Sequence, residues 1–132
     1  MISYFKLKED WNALVKSKEA SYKKFKDSKS FKNLEISLHN ASWCPDCERE
    51  VTDLLAWLTT LNDETISFLA YEYEDKEKYK REKKENLLSI NSLPTIIFKK
   101  DNKEIMRIEE ESRIDFLNEV SILEKLIGDV NE

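Results

Sequence analysis

Two cysteines stand three residues apart, Cys44 and Cys47, and the chain has no others. A dithiol at that spacing can cycle between thiol and disulfide, or supply half of a four-ligand zinc site. One histidine, His39, is near enough to add a third ligand, and zinc ordinarily takes four. No metal is assigned on that ground, and the plainest alternative is an inert structural pair. A secreted disulfide framework would use more cysteines at wider spacing, so the pair points to a reducing, cytoplasmic setting.

The flanking residues say where the pair sits. Leu34, Ile36 and Leu38 alternate with polar residues and predict a strand over 34–40. Val51, Leu54, Leu55 and Leu58 are spaced i, i+3, i+4, i+7 and predict a helix over 45–61. Pro45 suits the first helical position, where a missing N–H costs nothing. Cys44 then occupies the N-cap, where free backbone N–H groups and the helix dipole favour a thiolate. Cys47 falls on the apolar stripe and is expected to be buried. The pair is therefore unequal: an exposed sulfur, Cys44, attacks a disulfide, and a sheltered one, Cys47, resolves the mixed disulfide. Asp46 lies between them. Its carboxylate opposes a thiolate at Cys44 by about 1 kcal/mol across roughly 7 Å, which makes the pair more reducing. Trp43 is read as facing substrate or packing the loop, and His39 as structural.

Other elements must hold this segment in place. A short strand is expected over 2–7 and a helix over 9–28, in one or two pieces. Residues 66–71 read as a strand, and the charged run that follows as an exposed helix over 75–89. Strands over 94–99 and 104–109 are joined by a turn at Asp101-Asn102-Lys103. A last helix over 112–127 has Ser112 as its expected N-cap and Gly128 as its C′ glycine. The order is β-α-β-α-β-α-β-β-α. Strands that alternate with helices are expected to be parallel, and the last two antiparallel. The fold class is α/β, a mixed central sheet with helices on both faces, in one domain over 1–132.

Composition narrows the function. Charged residues make up 37% of the chain and the net charge is −5, which argues against nucleic acid or an anionic membrane as partner. A single glycine argues against phosphate-cradling loops. The first ten residues lack a signal-peptide core, and Leu54–Leu58 is too short an apolar run to span a bilayer.

Leu93-Pro94-Thr95 stands directly before the apolar strand Ile96-Ile97-Phe98. A Trp-Cys-x-x-Cys at a strand-to-helix junction, followed by x-Pro-Thr before such a strand, resembles the thioredoxin family over about residues 2–128. Trp43-Cys44-Pro45-Asp46-Cys47 is similar to the thioredoxin-related proteins that carry this motif. The resemblance implies a thioredoxin fold, with Pro94 in cis beside Cys44 and Leu93 offering its backbone to an extended substrate. It implies a thiol–disulfide oxidoreductase with Cys44 and Cys47 catalytic, Trp43, Leu93 and Pro94 binding substrate, and Pro45 and Asp46 tuning the pair. No cofactor beyond the cysteines is implied. Substrates would be disulfides of proteins or small molecules. Electrons would come from a thioredoxin-reductase-like partner or low-molecular-weight thiols. A binding module without turnover, and an oxidase or isomerase, are the alternatives. The chain departs from ordinary thioredoxins in four places: Pro45-Asp46 replaces Gly-Pro, Leu38 stands where they keep a buried acid, their glycines near the last two strands are missing, and the segment that closes on their active site reads Glu109-Glu110-Glu111-Ser112-Arg113.

Overall fold

The computed structural model of the chain describes residues 4–131. Helix α1 spans Tyr4–Asp10 and α2 spans Asn12–Lys18, and a 3-10 helix follows over Glu19–Phe25. The strand expected over 2–7 is corrected: residues 4–10 are helical, and residues 2 and 3 lie outside the described part. The reason is periodicity. Leu7, Trp11 and Val15 recur every four residues, and Trp11 N–H and Val15 N–H donate to the carbonyls of Leu7 and Trp11 at 3.3 and 3.0 Å. The sheet therefore has four strands rather than five: β1 Glu35–Asn40, β2 Ser67–Glu72, β3 Thr95–Lys100 and β4 Lys103–Glu109.

The strand order is β2-β1-β3-β4. β1 and β2 are parallel, from Glu35 beside Ser67 to Asn40 beside Glu72. Helix α3, Pro45–Leu61, makes the crossover between them. β3 is antiparallel to β1, which corrects the expectation that every strand after a helix runs parallel. The chain leaves β2 at Glu72, beside Asn40, and enters β3 at Thr95, beside His39. The connection begins and ends at the same end of the sheet, beside the carboxyl end of β1, so it reverses the chain. Its helix α4 covers only Lys76–Lys84, shorter than expected, and Asn86 beyond it is left-handed with φ 57°.

One face of the sheet carries the main core. Trp57 of α3 is fully buried and meets Phe31 at 5.0 Å, Phe116 at 6.0 Å and Phe98 at 6.3 Å, each edge-on. Tyr22 packs on Phe116 in the same way at 6.0 Å. The N-terminal helices, α3 and the last helix α5, Phe116–Asn131, thus share the face of Phe98. The opposite face is flanked at its carboxyl end by α4, where Tyr79 packs on Tyr73 at 5.7 Å. Lower on that face Leu69 and Tyr71 stay exposed, at 45% and 38%.

The β3–β4 hairpin closes through a two-residue loop, with Lys100 opposite Lys103. Both loop residues have positive φ, Asp101 at 53° and Asn102 at 65°, as a type I′ turn requires. Among the described residues seven have positive φ, and six of them are Asn or Asp. These are the residue types that tolerate the left-handed region best after glycine. Among the described residues no helix is long and apolar enough to cross a membrane.

The start of α5 also differs from expectation. Asp115 caps it, accepting from Asn118 N–H at 2.7 Å, and Ser112 is engaged elsewhere. At the other end Gly128 lies inside the helix, not at C′, and a Cβ there would meet nothing within 4 Å. Gly128→Ala should therefore raise stability by about 0.5–1 kcal/mol, since alanine restricts the backbone without a clash. The shift in urea midpoint measures this. A loss of stability would mean that the glycine ends the helix.

Candidate functional site

The first turn of α3 is built around Cys44. Cys44 is the N-cap, with φ −99° and ψ 113°, and Pro45 occupies the first helical position. Cys47 N–H donates to Cys44 Sγ at 3.3 Å, so a sulfur fills the acceptor place usually taken by a serine or aspartate oxygen. The cysteines are free thiols. Cys47 is fully buried, and its sulfur accepts from Ala41 N–H at 3.4 Å. Burial, then its hydrogen bond to Cys44, pushes the Cys47 thiol well above the ordinary range. Cys44 is not the exposed sulfur that the sequence suggests: it is 7% exposed. The reason is Leu93, whose carbonyl lies 3.6 Å from Cys44 Sγ and accepts its S–H.

The Leu93–Pro94 peptide is cis, and both residues are buried. Thr95 Oγ1 donates to the Ser92 carbonyl at 2.8 Å, and the Pro94 carbonyl accepts from Glu110 N–H at 2.8 Å. The segment after β4 therefore abuts the wall that faces Cys44. Ser112 Oγ donates to Glu50, a buried carboxylate of α3, and Arg49 beside it donates to Asp46 at 2.9 Å. Glu110 lies in the segment that the sequence already marks as closing on the site, whereas neither Arg49 nor Glu50 stands out as functional from the sequence alone. A signal was present: Glu50 lies three residues beyond Cys47, and a carboxylate so close to an apolar stripe needs a partner.

Trp43 packs the loop. Its Nε1–H donates to the Tyr73 carbonyl at 2.7 Å, its ring meets Tyr79 at 5.7 Å, and Lys76 Nζ sits 5.5 Å from its centroid. His39 is central in the sheet. Its Nδ1 lies 2.8 Å from Tyr73 Oη, and its ring stacks on Tyr71 at 4.8 Å. Burial, then the Arg107 charge, lowers its pKa, so it is neutral at pH 7. Ser42 Oγ donates to Glu74 at 3.1 Å. Glu74 in turn perturbs Glu72: burial first, then hydrogen bonding and repulsion from Glu74, raise Glu72 to about 7. Among the described residues no group of three or more His, Cys, Asp or Glu is arranged to hold a metal ion.

A mixed four-stranded sheet with helices has counterparts among solved structures. The chain has the thioredoxin fold. A protein of unknown function from Pseudomonas aeruginosa matches with TM-score 0.53 at 15% identity, over 92% of this chain and 81% of its own. Two thioredoxins are also similar. Thioredoxin O2 of Arabidopsis thaliana has TM-score 0.47 and 19% identity, over 83% of this chain and 89% of its own. Mitochondrial thioredoxin 3 of Saccharomyces cerevisiae has TM-score 0.42 and 20% identity, over 80% and 87%. No protein-family profile matches the sequence, and no curated protein matches it.

Within the thioredoxin fold this chain has its own interior. Leu38 is fully buried on β1, so the position read against a buried acid holds a plain core residue. Two residues on, Asn40 is fully buried with neither side-chain polar atom bonded to protein.

Glu72 gives the site margin a pH response. Its folded pKa lies above the ordinary 4.5, so its stabilising contribution is complete below pH 4.5 and is lost as pH rises through about 7. The stability of the native chain relative to Glu72→Gln should therefore fall between pH 5 and pH 7.5. Thermal midpoints of both proteins across that range test it, and parallel curves would rule out the shift.

Proposed function

We propose that this chain is a thiol–disulfide oxidoreductase acting as a cytoplasmic disulfide reductase, with Cys44 and Cys47 as its catalytic residues. The observation that carries this reading is the inequality of the two sulfurs. Cys44 Sγ accepts an N–H at the start of α3, where negative charge is favoured, while Cys47 is fully buried with a raised pKa.

The chemistry follows from that inequality. The Cys44 thiolate attacks one sulfur of a substrate disulfide, and the other leaves as a thiolate that takes up a proton. Cys47 then loses its proton and attacks the Cys44 sulfur. The Cys44–Cys47 disulfide forms and the second substrate thiol is released. Two electrons pass to the substrate. A thioredoxin-reductase-like partner or a low-molecular-weight thiol returns them. Leu93 and Pro94 would line the substrate groove. Leu93 has to release the Cys44 S–H when the thiolate forms, which suits a carbonyl that can accept a bond from substrate backbone instead. Trp43 would hold the loop. Pro45 fixes the helix start, and Asp46 places a negative charge next to the pair.

The test is turnover of insulin or cystine coupled to NADPH through thioredoxin reductase, with glutathione as an alternative donor. Cys44→Ser should abolish reduction. Cys47→Ser should accumulate a mixed disulfide on Cys44, seen by mass spectrometry. Normal turnover by Cys47→Ser, or trapping on Cys47 alone, would overturn the assignment. Binding of partners with no turnover from any donor would favour an adaptor.

A further inference from the structure

One cluster beyond the sulfurs closes a ring around the dithiol, and its meaning rests on the redox reading above. Arg49, two residues after Cys47, reaches three carboxylates. Nη2 donates to Asp46 Oδ1 at 2.9 Å and to Glu111 Oε2 at 3.4 Å, and Nε donates to Glu50 Oε2 at 3.3 Å. Glu50 is 4% exposed, and its second oxygen accepts from Ser112 Oγ. Glu110, which precedes Glu111 in the chain, donates its N–H to the Pro94 carbonyl at 2.8 Å. The next carbonyl back, that of Leu93, accepts from Cys44 Sγ. The path thus runs from Asp46 through Arg49 and Glu50 to 110–112, then through Pro94 and Leu93 back to Cys44.

Two physical points give the ring weight. A buried carboxylate is costly unless paired and hydrogen-bonded, and Glu50 has both an arginine and a hydroxyl. Glu110 has φ 68°, and it is the one left-handed residue among those described that is neither Asn nor Asp. That conformation is strained for a residue with a Cβ, and it persists where surrounding contacts over-determine it. The Pro94 bond on one side and the Arg49–Glu50–Ser112 cluster on the other supply those contacts.

We propose that Arg49 is a positioning residue for the dithiol: its guanidinium latches residues 110–112, and with them the Leu93–Pro94 wall, against the start of α3, while its charge offsets Asp46 next to Cys44. Arginine suits both parts. Its planar fork holds Nε and Nη2 in a fixed geometry toward separate carboxylates, whereas a lysine ammonium is a compact point charge on a flexible stem, which would still supply the charge. The acidic side chains around the ring are Asp46 and Glu48 on α3, Glu109 at the end of β4, and Glu110 and Glu111 after it; the other cations nearby are paired elsewhere, Arg107 with Glu104 and Glu109 and Arg113 with Glu119. Loss of Arg49 would leave Asp46 and Glu111 without the cation that pairs with them.

The test separates latch from charge and needs no turnover, so its failure is distinct from failure of the reductase reading. Cys44 alkylation by iodoacetamide at pH 7, followed in a Cys47→Ser background, reports thiolate population. Hydrogen exchange at the Glu110 amide reports the latch. Arg49→Gln should slow alkylation about two- to tenfold at low salt, and less at high salt. It should also speed exchange at Glu110 about tenfold. Arg49→Lys should alkylate within about twofold of the parent yet exchange as fast as Arg49→Gln. Glu111→Gln, an exposed partner 69% accessible, should speed both alkylation and exchange, and it serves if Arg49→Gln does not fold. The proposal is overturned if Arg49→Gln leaves either rate unchanged, if Arg49→Lys alkylates as slowly as Arg49→Gln, or if Glu111→Gln slows alkylation.

Discussion

The arrangement of the site depends on how the first turn of α3 satisfies its own backbone. A helix begins with N–H groups that have no partner within the helix, and one of them, from Cys47, is met by a sulfur. The same N–H also donates to the Cys44 carbonyl at 3.1 Å, and the two contacts together mark Cys44 as the N-cap where the chain leaving β1 turns into the helix. The turn also puts the second cysteine under the backbone of Ala41. Sulfur is a weaker acceptor than the oxygens that usually cap helices. The turn can bear this because the rest of α3 is anchored elsewhere, by Val51, Leu54, Leu55 and Trp57 in the core.

The walls around that turn come from distant parts of the chain. Tyr73, just past β2, accepts the Trp43 indole N–H and bonds by its own N–H to the Asn40 carbonyl at 2.9 Å. Leu93 covers the sulfur from the approach to β3, and Glu110 supports it from the end of β4. All of these lie at the carboxyl ends of β1 and β2, where β3 begins and β4 ends. The reversal of the chain between β2 and β3 makes this convergence possible. Had β3 been parallel, Leu93 and Pro94 would enter the sheet at its opposite end, away from Cys44.

Residues 45–61 were readable as the helix that forms, because the proline, the cap and the stripe all mark the same boundaries. The dithiol was readable for the same reason, since both sulfurs lie within that helix start. Three things were not readable, each for a physical cause. The N-terminal residues mix aromatics with lysines at a spacing that fits either a strand or a helix over a few residues, and only Trp11 and Val15 extend the helical period. The burial of Cys44 depends on Leu93, 49 positions away. Ser112 has the composition of a helix cap, but a buried carboxylate on another helix competes for its hydroxyl, and Asp115 is free to cap in its place. Local chemistry is visible in a sequence, and competition between distant partners is not.

The turns built on Asn and Asp have a consequence for the denatured chain. Glycine would adopt the same left-handed angles with no strain, but it also leaves an unfolded backbone with the widest choice of conformations. An asparagine at the same place strains the folded turn slightly while narrowing the ensemble that folding must overcome. With one glycine in 132 residues, this chain has a comparatively stiff denatured state. Part of its resistance to unfolding therefore resides in disorder it never had, and no inventory of native contacts would reveal it.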